Sequence, residues 1–158
     1  HELYSSYFYL SASGYLDSMN FSGFARWMRV QYQEEVVHAM KFFDFMLDRG
    51  SRPILQAIDK PPANFQSPLD AFTQALQQER QVTALIHSLY ALTVQEKDYP
   101  AQVLLQWFIS EQVEEEKTVS QIVEELKMAG DNSSTLLLLN STVGSQRNTP
   151  ATEGVTSL

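Results

Sequence analysis

The chain has 158 residues, 44% of them hydrophobic, and its 19 acidic against 11 basic side chains give a formal net charge of −8. That is enough apolar material for one buried core, and the acidic balance argues against a nucleic-acid partner or an anionic membrane surface. There is no cysteine, which excludes disulfides, thiol catalysis, iron–sulfur clusters and cysteine-ligated zinc together. No apolar run approaches the ~18 residues of a membrane span, no signal peptide is visible, and a cytoplasmic location is expected.

The opening HELYSSYFYL is already in helical period and carries no cap, so the first helix, from His1 to about Leu16, is expected to begin upstream of His1. Asp17–Asn20 reads as a turn, with Asn20 as the N-cap of the second helix. That helix runs from about Phe21 to Arg49 and stops at Gly50. Residues 50–66 carry three prolines and no period, the mark of a long connection. Ser67 as cap, Pro68 in the first turn and Asp70 beside the positive helix end open a third helix that runs to about Glu96. KDYP breaks it, Asp98 caps a fourth helix to about Ala129, and Gly130 ends that one. SSTLLLLNS is a short fifth helix. Residues 147–158 read as a mobile tail, which leaves one domain over residues 1–146.

A second helix of this length spans about 42 Å. The connection after it, at up to ~3.3 Å per residue, can return along the whole of it. The expected fold is therefore all-α: a four-helix bundle of two hairpins, with a long crossover between the second and third helices and a short C-terminal fifth helix.

Core-facing positions in such a bundle recur at alternating steps of three and four. The first helix then presents Glu2, Ser5, Tyr9, Ala12 and Leu16. The second presents Phe24, Met28, Gln31, Glu35, His38, Phe42 and Phe45, and the third Phe72, Leu76, Glu79, Thr83, Ile86 and Tyr90. The fourth presents Leu105, Phe108, Gln112, Glu115, Val119, Ile122 and Leu126. Every stripe carries a carboxylate. Glu2 lies about as far before the first turn as Glu35 and His38 lie after it, and Glu79 stands in the same relation to Gln112 and Glu115, so each hairpin sets its polar residues at one level.

Burying an unpaired charge costs several kcal/mol, and four carboxylates at one level must take up protons or cations. Two divalent metal ions supply four positive charges, matching Glu2, Glu35, Glu79 and Glu115. Oxygen donors with one imidazole suit iron or manganese better than copper or a structural zinc. Singly, each residue has an ordinary explanation. A lone Glu-x-x-His is most often a surface accident, and Tyr9, Trp27 and Trp107 are most simply packing residues. VEEEK alone is a solvated face, and His1 and His87 fall off the stripes. The coincidence of four stripes at one level is what favours a metal centre.

The segments ELYSSYFYL, GFARWM, QEEVVHAM, KPPANFQSPLDAF, KDYP and LQWFISEQVEEE, in this order, resemble the non-haem ferritins of bacteria and archaea over about residues 1–147. The resemblance implies a ferroxidase centre with two irons per subunit. Glu2, Glu35 and His38 would hold the first iron, with Glu35 bridging, and Glu79 and Glu115 the second. Gln112 would orient oxygen or water beside the pair, and Tyr9 would stand behind it. A third iron site would use Glu34, Glu111 and Glu114, with Glu115 shared. The implied activity is Fe(II) oxidation by oxygen or peroxide, with Fe(III) mineral stored inside a homo-oligomeric shell of 24 subunits.

Departures from relatives are informative. A bacterioferritin would carry a second Glu-x-x-His where Gln112-Val113-Glu114-Glu115 stands, and its haem-binding Met where Val36 stands, so no haem is expected. Rubrerythrins add a cysteine-bearing iron module. Gln102 and Leu105 replace the carboxylates that line the three-fold channels of animal ferritins, so iron is expected to enter by another route. Two other readings are a non-catalytic cage subunit, which would have lost its stripe ligands, and a di-iron oxidase acting on an organic substrate.

Overall fold

The computed structural model describes residues 1–146, and the tail expected at 147–158 lies outside the described residues. Among the described residues there are five helices and no strand: α1 (Glu2–Ser18), α2 (Ser22–Asp48), α3 (Pro68–Glu96), α4 (Tyr99–Ala129) and α5 (Ser133–Gln146). They fall into two compact units, one formed by His1–Pro68 with the segment from Ala129 onward, the other by Leu69–Met128. No helix among the described residues is long and apolar enough to cross a membrane.

In the first unit α1 and α2 form a hairpin. Tyr9, Ala12, Leu16, Phe24 and Met28 of the two expected stripes are fully buried, and Ser13 Oγ donates across the hairpin to Ala25 O at 2.9 Å. The end of the long connection lies along α1. Phe65 is buried with its ring edge-on to Phe8 and tilted against Tyr15, and Ser11 Oγ donates to Pro62 O at 2.6 Å. Earlier in the same connection Ile54, Leu55 and Ile58 are exposed.

The cap expected at Asn20 is not there. Asn20 adopts a left-handed φ of 63°, a conformation its short polar side chain tolerates. The N-cap of α2 is instead Phe21, which offers no side-chain cap. The missing acceptor comes from far along the chain: Asn140 of α5 takes the Phe24 N–H on its Oδ1 at 2.9 Å. The fifth helix is also longer than its apolar core suggests, and its docking face is small. Gly23 of α2 and Gly144 of α5 sit in direct backbone contact, and a Cβ on Gly144 would lie 2.5 Å from Gly23 Cα. Asn140, Val143 and Gly144 are buried in this crossing, while Leu137 and Leu138 remain exposed.

In the second unit α3 and α4 are joined through Lys97 at φ 54°, and Asp98 Oδ1 accepts from Ala101 N at 3.2 Å as the expected cap. Phe72, Ile86, Phe108, Val119, Ile122 and Leu126 are buried, as the two stripes require. The ends of α2 and α4 fall at Gly50 (φ 74°) and Gly130 (φ 52°), where a side chain would meet the steric penalty of the left-handed region.

Candidate metal centre

In the first unit, Glu2 comes from the first turn of α1, and α2 delivers Gln31, Glu35 and His38 from one face at steps of four and three residues. Glu2 is 7% exposed, Glu35 1% and His38 4%. One ligand atom from each of these three lies within 4.8 Å of the other two, so they can hold a metal ion. His38 Nδ1 stands 3.6 Å from Glu35 Oε2, and Gln31, wholly buried, donates from Nε2 to Glu35 Oε1 at 2.8 Å.

Glu2 carries the electrostatic cost of this arrangement. Its pKa is pushed up from 4.5 to about 8, first by burial and then by the Glu35 charge and a hydrogen bond shared with Glu35, against a smaller opposing pull from His38. At neutral pH Glu2 therefore holds a proton and donates it to Glu35. Its other oxygen, Oε2, is buried with no hydrogen-bond partner. Buried polar atoms are rarely left this way. A buried carboxyl that, together with a second carboxylate and an imidazole, offers a ligand atom within 4.8 Å of theirs fits a hard or borderline cation.

In the second unit, Glu79 (1% exposed), Gln112 (3%) and Glu115 (4%) are buried among apolar neighbours on their stripes. Gln112 Nε2 donates to Glu79 O at 3.1 Å, to Glu79 Oε2 at 3.2 Å and to Thr83 Oγ1 at 3.3 Å. Thr83 Oγ1 in turn donates to Glu116 Oε1 at 2.6 Å, and Arg80 Nε lies 3.8 Å from Glu116 Oε2.

The remaining expected residues are less enclosed. Tyr9 is fully buried, edge-on to Phe8 at 5.6 Å and to Trp27 at 6.2 Å. Glu34 and Glu111 are half-buried. Glu114 is exposed, with an oxygen 3.8 Å from Lys117 Nζ. His1 and His87 are exposed, as their positions off the stripes imply.

A profile of the Ferritin-like domain family matches residues 1–129. The chain belongs to the ferritin family. It is 42% identical over 130 residues to a bacterial non-heme ferritin of Bacteroides fragilis, covering 82% of each chain. It is 37% identical over 137 residues to one of Staphylococcus epidermidis, covering 87% of this chain and 82% of that one. Among solved structures, an open pore ferritin of the hyperthermophilic archaeon Archaeoglobus fulgidus matches with a TM-score of 0.91 and 45% identity, over 92% of this chain and 90% of that one. The all-α fold is that of the ferritins.

Within this ferritin chain three polar residues attend the candidate ligands without having been singled out from sequence. Gln31 and Thr83 stood on the core stripes, and an uncharged polar side chain one helical turn from a buried carboxylate is the available signal. Glu116 gave none. Off its stripe, in a run of three glutamates, it looks like part of a solvated face.

Proposed function

We propose that this chain is the subunit of an iron-storage ferritin with ferroxidase activity. It oxidises Fe(II) at a two-iron centre and deposits Fe(III) as hydrated oxide inside a cytoplasmic shell of 24 copies. The observation that carries the reading is the buried trio of Glu2, Glu35 and His38, with ligand atoms within 4.8 Å of one another and a carboxylate oxygen on Glu2 left without a partner. The likeness to bacterial non-heme ferritins supports storage as the role.

In this reading Glu2, Glu35 and His38 take one ferrous ion, Glu79 and Glu115 the other, and Glu35 bridges. The ions are the substrate. Each gives up one electron, and dioxygen takes the two electrons with two protons to leave hydrogen peroxide. With peroxide as oxidant, two electrons and two protons leave two waters. Anionic oxygen donors favour the ferric product, and Fe(III) then leaves for the cavity and hydrolyses to the oxide. Gln31 holds Glu35 for bridging, Gln112 orients oxygen or water, and Tyr9 packs behind the pair. Glu34, Glu111 and Glu114, with Glu115 shared, form a third, more open site. Val36, which follows Glu35, offers no axial ligand to haem.

Mixing the metal-free protein with Fe(II) in air tests the reading. It predicts a fast absorbance rise saturating at two irons per subunit, followed by a large mineral-loaded particle. A cage that mineralises without the fast phase would identify a non-catalytic subunit. A fast phase with no mineral would favour oxidation of an organic substrate.

A further inference from the structure

Gln112 raises a question of polarity. A glutamine amide has a donating end and an accepting end of nearly equal size, and which end faces a bound ion decides what it can do there. Nε2 has two hydrogens, and three acceptors converge on it: Glu79 O, Glu79 Oε2 and Thr83 Oγ1. Iron that claims the Glu79 carboxylate competes for one of these. The Glu79 carbonyl lies inside α3, where the helical ladder already engages it. Thr83 is the acceptor that iron leaves untouched.

A threonine hydroxyl can also donate, and then it would attract Oε1 instead. Here it cannot do so freely. Its single hydrogen goes to Glu116 Oε1 at 2.6 Å, and a carboxylate only accepts. Glu116 is held in turn near Arg80, at 3.8 Å. Thr83 is thereby left with lone pairs facing Gln112, and the Nε2 end of the amide is the end that satisfies them.

We infer that Thr83 and Glu116 form a polarity lock on Gln112, which turns Oε1 rather than Nε2 toward an incoming ion. Gln112 then acts as an acceptor. It can bind a cation directly or receive a hydrogen bond from the water of a hydrated ferrous ion, which narrows its role beside the pair from oxygen or water to water. Thr83 and Glu116 are positioning residues in this scheme, because they act through Gln112. The inference rests on the ferroxidase reading and sharpens the role of one residue in it.

The test crosses two substitutions at Thr83. Thr83→Val keeps the shape and removes the hydroxyl; Thr83→Ser keeps the hydroxyl and removes the methyl. Two readouts are taken on the assembled protein: anaerobic Co(II) titration, followed by ligand-field absorption, and the fast phase of Fe(II) oxidation. Thr83→Val is expected to weaken Co(II) binding and slow the fast phase by about fivefold each, the ratio expected when one neutral hydrogen bond stops selecting between two amide orientations. Thr83→Ser is expected to restore both. The lock is overturned if Thr83→Val matches the parent in both readouts, or if Thr83→Ser is impaired as much as Thr83→Val, which would point to packing. Should Thr83→Val not assemble, Thr83→Ala takes its place under the same criterion. A parent protein with no fast phase overturns the ferroxidase reading itself and the lock with it, an outcome distinct from a normal parent and a silent variant.

Discussion

Replacing Glu2 with glutamine should make the metal-free protein more stable at alkaline pH and leave it unchanged in acid. Folding moves the Glu2 pKa from 4.5 to about 8, so the folded chain keeps a proton that the unfolded chain releases. Below pH 4.5 both states are protonated and Glu2 is neutral in its effect. As pH rises from 4.5 to 8, the unfolded state gains from releasing the proton and the folded state does not, so stability falls across that window. The full loss above pH 8 is roughly 5 kcal/mol, from 1.4 kcal/mol for each pH unit between the two pKa values. Glutamine carries no charge at any pH and should remove this contribution to the slope. For a chain of this size the gap corresponds to about 10–20 °C in melting temperature. Chelator-treated parent and variant, melted at constant protein concentration and ionic strength between pH 4 and 9, should have curves that coincide in acid and diverge through neutrality. Two parallel curves with a constant offset would show instead that Glu2 is not held protonated by its surroundings.

Gln31→Met keeps the length of a wholly buried side chain but removes the donor to Glu35. It should leave the fold intact and weaken Fe(II) or Co(II) binding about tenfold or more, since a hydrogen bond to a charged group is worth about 1.5–3 kcal/mol; anaerobic titration checks it. Gly144→Ala puts a methyl against the α2 backbone at Gly23, which cannot give way. α5 should lift from α2 at a cost of about 1–3 kcal/mol, seen as faster proteolysis after Ala129 and a lower melting temperature. Glu114→Ala, at an exposed position beside Lys117, should spare the first fast oxidation and alter the iron-to-oxygen ratio of later turnovers, measured with an oxygen electrode.

The stripes were legible because burial selects one face of a helix. Steps of three and four led to Glu2, Glu35, His38, Glu79, Gln112 and Glu115, and all six are buried. Helix ends were legible where the chain needed a special backbone residue or a local cap, as at Gly50, Gly130 and Asp98. The start of α2 was not, because its cap is Asn140, 116 residues away, and no local pattern announces a partner that distant. The extent of α5 was hidden for a related reason. Its docking face is Asn140, Val143 and Gly144, chosen for close approach to Gly23 and not for hydrophobicity, while the leucines that draw the eye include two on its exposed side. The Thr83–Glu116 pair depends on the register between α3 and α4, which spacing along either helix does not specify.

In the proposed centre, Glu35 would join two irons. A crystal soaked anaerobically with Fe(II) and measured at the iron absorption edge tests it most directly. Two strong anomalous peaks per subunit are expected, one beside Glu2 and His38, the other beside Glu79 and Glu115, with an oxygen of Glu35 against each. Density for a single ion, or for ions only at exposed carboxylates such as Glu114 with none at Glu35, would contradict it.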